Sequence, residues 1–105
     1  MSDPMKIRAT VRDGVADVRI LMMHPMETGL RRDGNGSIVP SHYITNVQVD
    51  LNGARVADAR WGPSVARNPF LGLRLTGAKA GDQLAVTWID NRGDRSRDSI
   101  VVSAA

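Results

Sequence analysis

His42-Tyr43-Ile44-Thr45-Asn46-Val47-Gln48-Val49-Asp50-Leu51-Asn52-Gly53-Ala54-Arg55-Val56-Ala57-Asp58-Ala59-Arg60-Trp61 reads as a β-hairpin, and it decides the fold class. Period-two alternation puts Tyr43, Thr45, Val47, Val49 and Leu51 on one face and His42, Asn46, Gln48 and Asp50 on the other. Asn52 and Gly53 tolerate the positive φ that a two-residue hairpin turn demands, so the chain reverses into Ala54 to Trp61. Gly62-Pro63 ends that return strand.

The same grammar extends in both directions. Upstream, Lys6 to Arg12 aligns Ile7, Ala9 and Val11, Asp13-Gly14 turns the chain, and Val18, Ile20 and Met22 share one face of the return strand. Downstream, Phe70 to Thr76 alternates through Leu71, Leu73 and Leu75, and Gly77 to Asp82 connects. Gln83 to Asp90 alternates through Leu84, Val86 and Trp88, and Asn91 to Asp94 turns into a last strand carrying Ile100 and Val102. Helical periodicity is sustained nowhere, so parallel crossovers have no helices to make them. Seven short strands in one domain spanning 1–105 predict an all-β, immunoglobulin-like antiparallel β-sandwich. The cysteine–tryptophan–cysteine signature of antibody domains is absent, which makes this a statement about architecture. Residues 1–5 and 103–105 read as loose ends.

Composition narrows the function classes. At 105 residues, 42% apolar and 24% charged, the chain can bury one core and has no disordered bias. It has no cysteine, which excludes disulfides, thiolate catalysis, thiolate zinc sites and iron–sulfur clusters. The net charge of +3 is carried mostly by arginine, a residue suited to acidic protein partners. Nucleic-acid binding would need a basic stripe interleaved with stacking aromatics, and three of the four aromatics (Tyr43, Trp61, Phe70, Trp88) fall in strand patterns that predict core roles. The longest apolar run, Ile20 to Met23, is too short to span a bilayer, and the first residues lack an apolar or twin-arginine export signal.

Candidate chemistry is sparse. His24 and His42 are the two possible histidine bases, and neither sits in a nucleophile motif. Ser41 and His42 are neighbours on a strand and point apart. A metal-assisted or hydrolytic site around His24, Glu27 and His42 is the rival reading, although these residues lack ligand spacing. Asp33-Gly34-Asn35-Gly36 resembles a fragment of a calcium or phosphate loop whose other liganding positions are missing, and reads as a turn; the sequon at Asn35 reads as chance. Met22, Met23 and Met26 cluster where a strand enters the long segment His24 to Ser41, with Met22 inward and Met23 outward. Arg92, Arg95 and Arg97 mark a solvated edge. No catalytic residue, metal or cofactor is expected.

That long segment, beginning His24-Pro25-Met26-Glu27-Thr28-Gly29-Leu30-Arg31-Arg32-Asp33, closely resembles the SoxZ family of sulphur-oxidation proteins. The likeness continues through Ile38-Val39-Pro40-Ser41-His42-Tyr43-Ile44, Asn52-Gly53, Gly62-Pro63-Ser64-Val65-Ala66-Arg67-Asn68-Pro69-Phe70, Ala80-Gly81-Asp82 and Trp88-Ile89-Asp90-Asn91-Arg92-Gly93. It covers nearly the whole chain, Met5 to Val102; Ala66, where a serine is expected, is a small departure.

The resemblance implies a non-catalytic subunit of the SoxYZ carrier of bacterial thiosulfate oxidation. The partner would be SoxY, whose C-terminal cysteine holds the covalent sulfur intermediates and meets the other Sox enzymes in turn. It also implies a periplasmic location reached without an export signal of this chain's own, by association with SoxY. The residues expected to face the partner are His24, Pro25, Met26, Glu27, Thr28, Gly29, Leu30 and Arg31, with Asn68, Pro69 and Phe70. Their turn-rich backbone carries Met26, Leu30 and Phe70, which a polar loop would otherwise expose. A homodimer of the isolated subunit is expected for the same reason.

Overall fold

The computed structural model describes residues 4–105, and eight strands form two four-stranded sheets. The strands are β1 (Lys6–Arg12), β2 (Val15–Leu21), β3 (Ile44–Leu51), β4 (Ala54–Arg60), β5 (Phe70–Thr76), β6 (Gln83–Asp90), β7 (Arg95–Val101) and β8 (Ser103–Ala104). One sheet has the order β5-β2-β1-β8 and the other β4-β3-β6-β7. Seven of these strands match the expected sandwich in order, with β3 starting at Ile44 where the pattern ran from His42, and β7 ending before Val102. Both two-residue hairpin turns have positive φ at each central residue: Asp13 at 53° with Gly14 at 77°, and Asn52 at 51° with Gly53 at 85°. That twist matches the right-handed strands they join.

The core lies between the sheets. Ala9 from β1, Ala16, Val18 and Ile20 from β2, Val47 and Val49 from β3, and Leu84, Val86 and Trp88 from β6 are buried there. Each strand contributes alternate residues, as two facing sheets require.

Two sequence expectations need correction. In β3 a bulge between Ile44 and Asn46 shifts the register against β6, so Ile44 is buried and Thr45 is not. One extra residue moves the residues before it to the opposite face. The ends also differ from the loose segments expected. Met1 to Asp3 fall outside the described residues, but Met5 is buried and its N–H donates to Asp98. At the other end the chain leaves β7, buries Val102, and enters the opposite sheet as β8, pairing in parallel with Thr10 and Val11 of β1. The sandwich is therefore not wholly antiparallel. Phe70 opens β5 in the outward register, opposite Leu71, Leu73 and Leu75, and is 61% exposed.

Candidate functional site

The site grows from three polar residues that occupy inward positions. His24 continues the inward series Val18, Ile20, Met22 past the end of β2, and Asp90 continues Leu84, Val86, Trp88 to the end of β6. His42 lies two residues before the buried Ile44. An ionised carboxylate at such a place must be fully hydrogen-bonded.

Asp90 meets that requirement. Its Oδ2 accepts His42 Nε2 at 2.7 Å and His24 Nε2 at 3.1 Å, and its Oδ1 accepts the N–H groups of Arg92 at 3.0 Å and Asp94 at 2.9 Å. Burial on its own raises the Asp90 pKa, but these four hydrogen bonds outweigh it and hold the carboxyl below its ordinary value. Four donors fill the four lone-pair sites of a carboxylate, so the aspartate is a satisfied anion with no capacity left over.

The tautomer of His24 follows from its other nitrogen. Nδ1 accepts the N–H of Met26 at 3.1 Å, so the proton sits on Nε2 and the ring is neutral. Burial lowers its pKa, only partly opposed by the bond to Asp90, and His42 lowers it further. The ring stands edge-on to Trp88 with centroids 5.1 Å apart, and to His42 at 4.5 Å.

This knot fixes the root of the long segment. The N–H and C=O of His24 bond Asn68 Oδ1 and Asn68 N–H, at 3.0 and 2.9 Å. Asn68 holds a φ of 50°, tolerable for asparagine, and Met26 holds the same value at real cost. Met26 is kept there by His24 and by its Sδ, which accepts the Ile44 N–H at 3.3 Å. From this root a ribbon projects. Glu27 and His42 exchange backbone bonds of 2.6 and 2.9 Å, Val39 N–H donates to Arg31 C=O, and Asp33 N–H donates to Ser37 C=O. At the tip Asp33 Oδ1 accepts the N–H groups of Asn35 and Ser37, a local turn motif. Residues 30–38 are all exposed, and among them Leu30 and Ile38 are 85% and 55% exposed.

The expected partner-facing residues therefore divide. Pro25, Thr28, Leu30, Arg31, Asn68 and Phe70 are exposed, and Glu27 and Gly29 are half-buried. His24, Met26 and Pro69 are buried in the chain's own fold, so their apolar surface is not on offer. Glu27 lies outside the histidine cluster: its carboxylate is clamped by Arg31, with Nη2 to Oε1 at 2.7 Å, and this bond holds its pKa below the ordinary value. The third member of the cluster is Asp90, which strand alternation places only at the end of β6. A lone acid on the inward parity of an apolar strand was the available signal.

Metal or hydrolytic chemistry fits this geometry poorly. The three residues bring ligand atoms within 4.8 Å of one another. Yet a metal on His24 Nε2 would force the proton onto Nδ1, against the Met26 N–H, and Asp90 would have to give up donors. Ser41 Oγ is bonded by Asn91 Nδ2 and by neither histidine.

Fold and site together define an immunoglobulin-like β-sandwich domain with a rigidly rooted, projecting ribbon. The family model described as sulphur oxidation protein SoxZ matches residues 5–101, and the chain belongs to that family, which gives it a role in sulphur oxidation. No curated protein matches it. Among solved structures, it is similar to the superoxide reductase (neelaredoxin) from Ignicoccus hospitalis, with a TM-score of 0.63 and 20% identity over 97% of this chain and 82% of that one. That likeness shows the fold alone.

Proposed function

We propose that the chain is the non-catalytic subunit of a SoxYZ carrier, binding a SoxY chain whose cysteine bears the sulfur intermediates. The observation that carries this reading is the ribbon, a pre-ordered arm presenting Leu30 and Ile38 to solvent from a root tied by His24, His42 and Asp90. Apolar side chains on an arm already ordered before binding lose little backbone entropy on docking, which favours a durable interface. A chain without cysteine cannot hold a thiol-bound intermediate, so the covalent chemistry belongs to the partner. The location that goes with this role is the periplasm, reached in company with SoxY.

The test is co-purification of tagged SoxY with the wild-type chain and with a Leu30→Asp, Ile38→Asp double variant. Loss of the complex, by ~100-fold or more in affinity if both side chains are interface anchors, is the expected result. Undiminished recovery of the variant with SoxY would remove the ribbon from the interface. Recovery of neither chain with SoxY would remove the carrier role itself.

A further inference from the structure

Three successive cross-strand rows on the outward face of the β5-β2-β1 sheet carry a cluster of charge. Lys6, Leu21 and Phe70 form the first, Arg8, Arg19 and Gly72 the second, and Thr10, Asp17 and Arg74 the third. Arg8 and Arg19 are direct cross-strand neighbours, an arrangement that repels and destabilises the bare sheet. Asp17 is the one carboxylate in these rows, and it pairs with Arg19 at 3.4 Å. Among the described residues, Lys6, Arg8 and Arg74 have no carboxylate partner.

An aromatic ring borders this charge on the edge strand β5. The Phe70 ring lies over Gly72, where an added Cβ would come within 3.3 Å of it, so the glycine makes room for the ring against the sheet. Shallow clefts of about 320 and 370 Å³ flank the ring, and Arg19 lines both. Phe70 and Leu21 give the patch apolar contact area, while the cations select the sign of what covers it.

We propose that this face is a docking site for an acidic polypeptide segment that places an apolar side chain beside Phe70 and carboxylates on Arg8, Arg19 and Arg74. The inference does not depend on the ribbon being the SoxY contact. It rests on a cross-strand arginine pair in which only Arg19 has a carboxylate partner, beside an exposed phenyl ring, a combination that an arriving anion stabilises.

The probe is a peptide with a central tryptophan flanked on each side by two glutamates, titrated into the full-length ¹⁵N-labelled chain at low salt. Amide shifts confined to β1, β2 and β5 around Arg8, Arg19 and Gly72 are expected. Phe70→Ala should weaken binding ~5-fold or more, and Arg8→Gln with Arg19→Gln ~10-fold with a flatter salt dependence. These surface variants should keep the wild-type amide spectrum elsewhere, and Phe70→Leu should retain part of the affinity. The proposal falls if the shifts lie off this face, if a lysine-flanked peptide binds equally well, or if the variants leave affinity unchanged. It falls equally if the face binds anionic phosphatidylglycerol vesicles and not the peptide, or is covered by a second copy of the chain.

Discussion

The N–H of Met26 donates to His24 Nδ1 at 3.1 Å, and this single bond dictates the chemistry of the cluster behind it. It fixes the proton on Nε2, aims that proton at Asp90, and makes the histidine a neutral structural donor. Since Met26 holds a φ of 50°, the same bond also keeps the entrance to the ribbon in an otherwise costly conformation.

The first consequence concerns metals. A histidine whose Nδ1 accepts a backbone N–H cannot offer Nε2 as a ligand without breaking that bond, and the ionised Asp90 already has four donors. Zinc or nickel titrated at neutral pH should bind substoichiometrically, and His42→Ala should not change the amount. Stoichiometric uptake by calorimetry or elemental analysis, abolished by Asp90→Ala, would show that the ring re-tautomerises and the site is a metal centre after all.

Acid should loosen the protein in two stages. The ordinary histidine value is 6.5, and burial pushes His24 below it, so the unfolded chain takes up that proton first as pH falls. Stability from neutral His24 is thus complete above 6.5 and declines between 6.5 and the lower folded value, at a limiting slope of ~1.4 kcal/mol per pH unit. Asp90 contributes a second loss. Its folded value lies below the ordinary 3.8, so its contribution is present above 3.8 and disappears as pH falls through the folded value. Urea midpoints measured from pH 8 to 3 should show both declines, and His24→Gln should flatten the upper one. An unchanged upper slope in that variant would mean His24 is not buried as a neutral ring.

Removing the acceptor should cost more than removing one donor. Asp90→Ala strands the N–H groups of His24, Arg92 and Asp94 in or near the interior and should cost ~3–5 kcal/mol. His42 is partly exposed and has one side-chain bond in this knot, so His42→Ala should cost ~1–2 kcal/mol. Chemical denaturation of both variants decides the order; the reverse ranking would place the anchor at His42.

Alternation and turn chemistry made most of the fold legible. Phe70 to Thr76 and Gln83 to Asp90 are observed with the ends read from sequence, because both are regular strands bounded by turn residues. What escaped was every feature set by a partner distant in the chain. The bulge at Thr45 breaks a parity that local reading assumes, and its cause lies in the pairing with β6. Met26 read as exposed because its positive φ, which turns it back into the core, is imposed by His24 and Ile44. Asp90 read as a strand end because its two ring partners lie 48 and 66 residues away. The ribbon itself was legible as a long irregular segment, but the bonds that tie its root came from that same non-local knot.

The short β8 strand invites the last test. Val102 is buried, and beyond it Ala105 N–H donates to Val11 C=O at 2.9 Å while Ser103 and Ala104 pair with Thr10 and Val11. These side chains are exposed, so the tail contributes backbone bonds and cover for the edge of β1, with little apolar burial. Deleting 103–105 should lower stability by only ~1–2 kcal/mol, the worth of one or two partly exposed hydrogen bonds. The larger effect should be on association, because β1 then presents an unpaired edge to other molecules. Light scattering of the truncated chain should show concentration-dependent aggregation that Val11→Pro, which removes the edge donor beside the carbonyl that Ala105 caps in the full chain, suppresses. A truncated chain that stays monomeric at the same concentrations would mean that β8 is not what protects the edge.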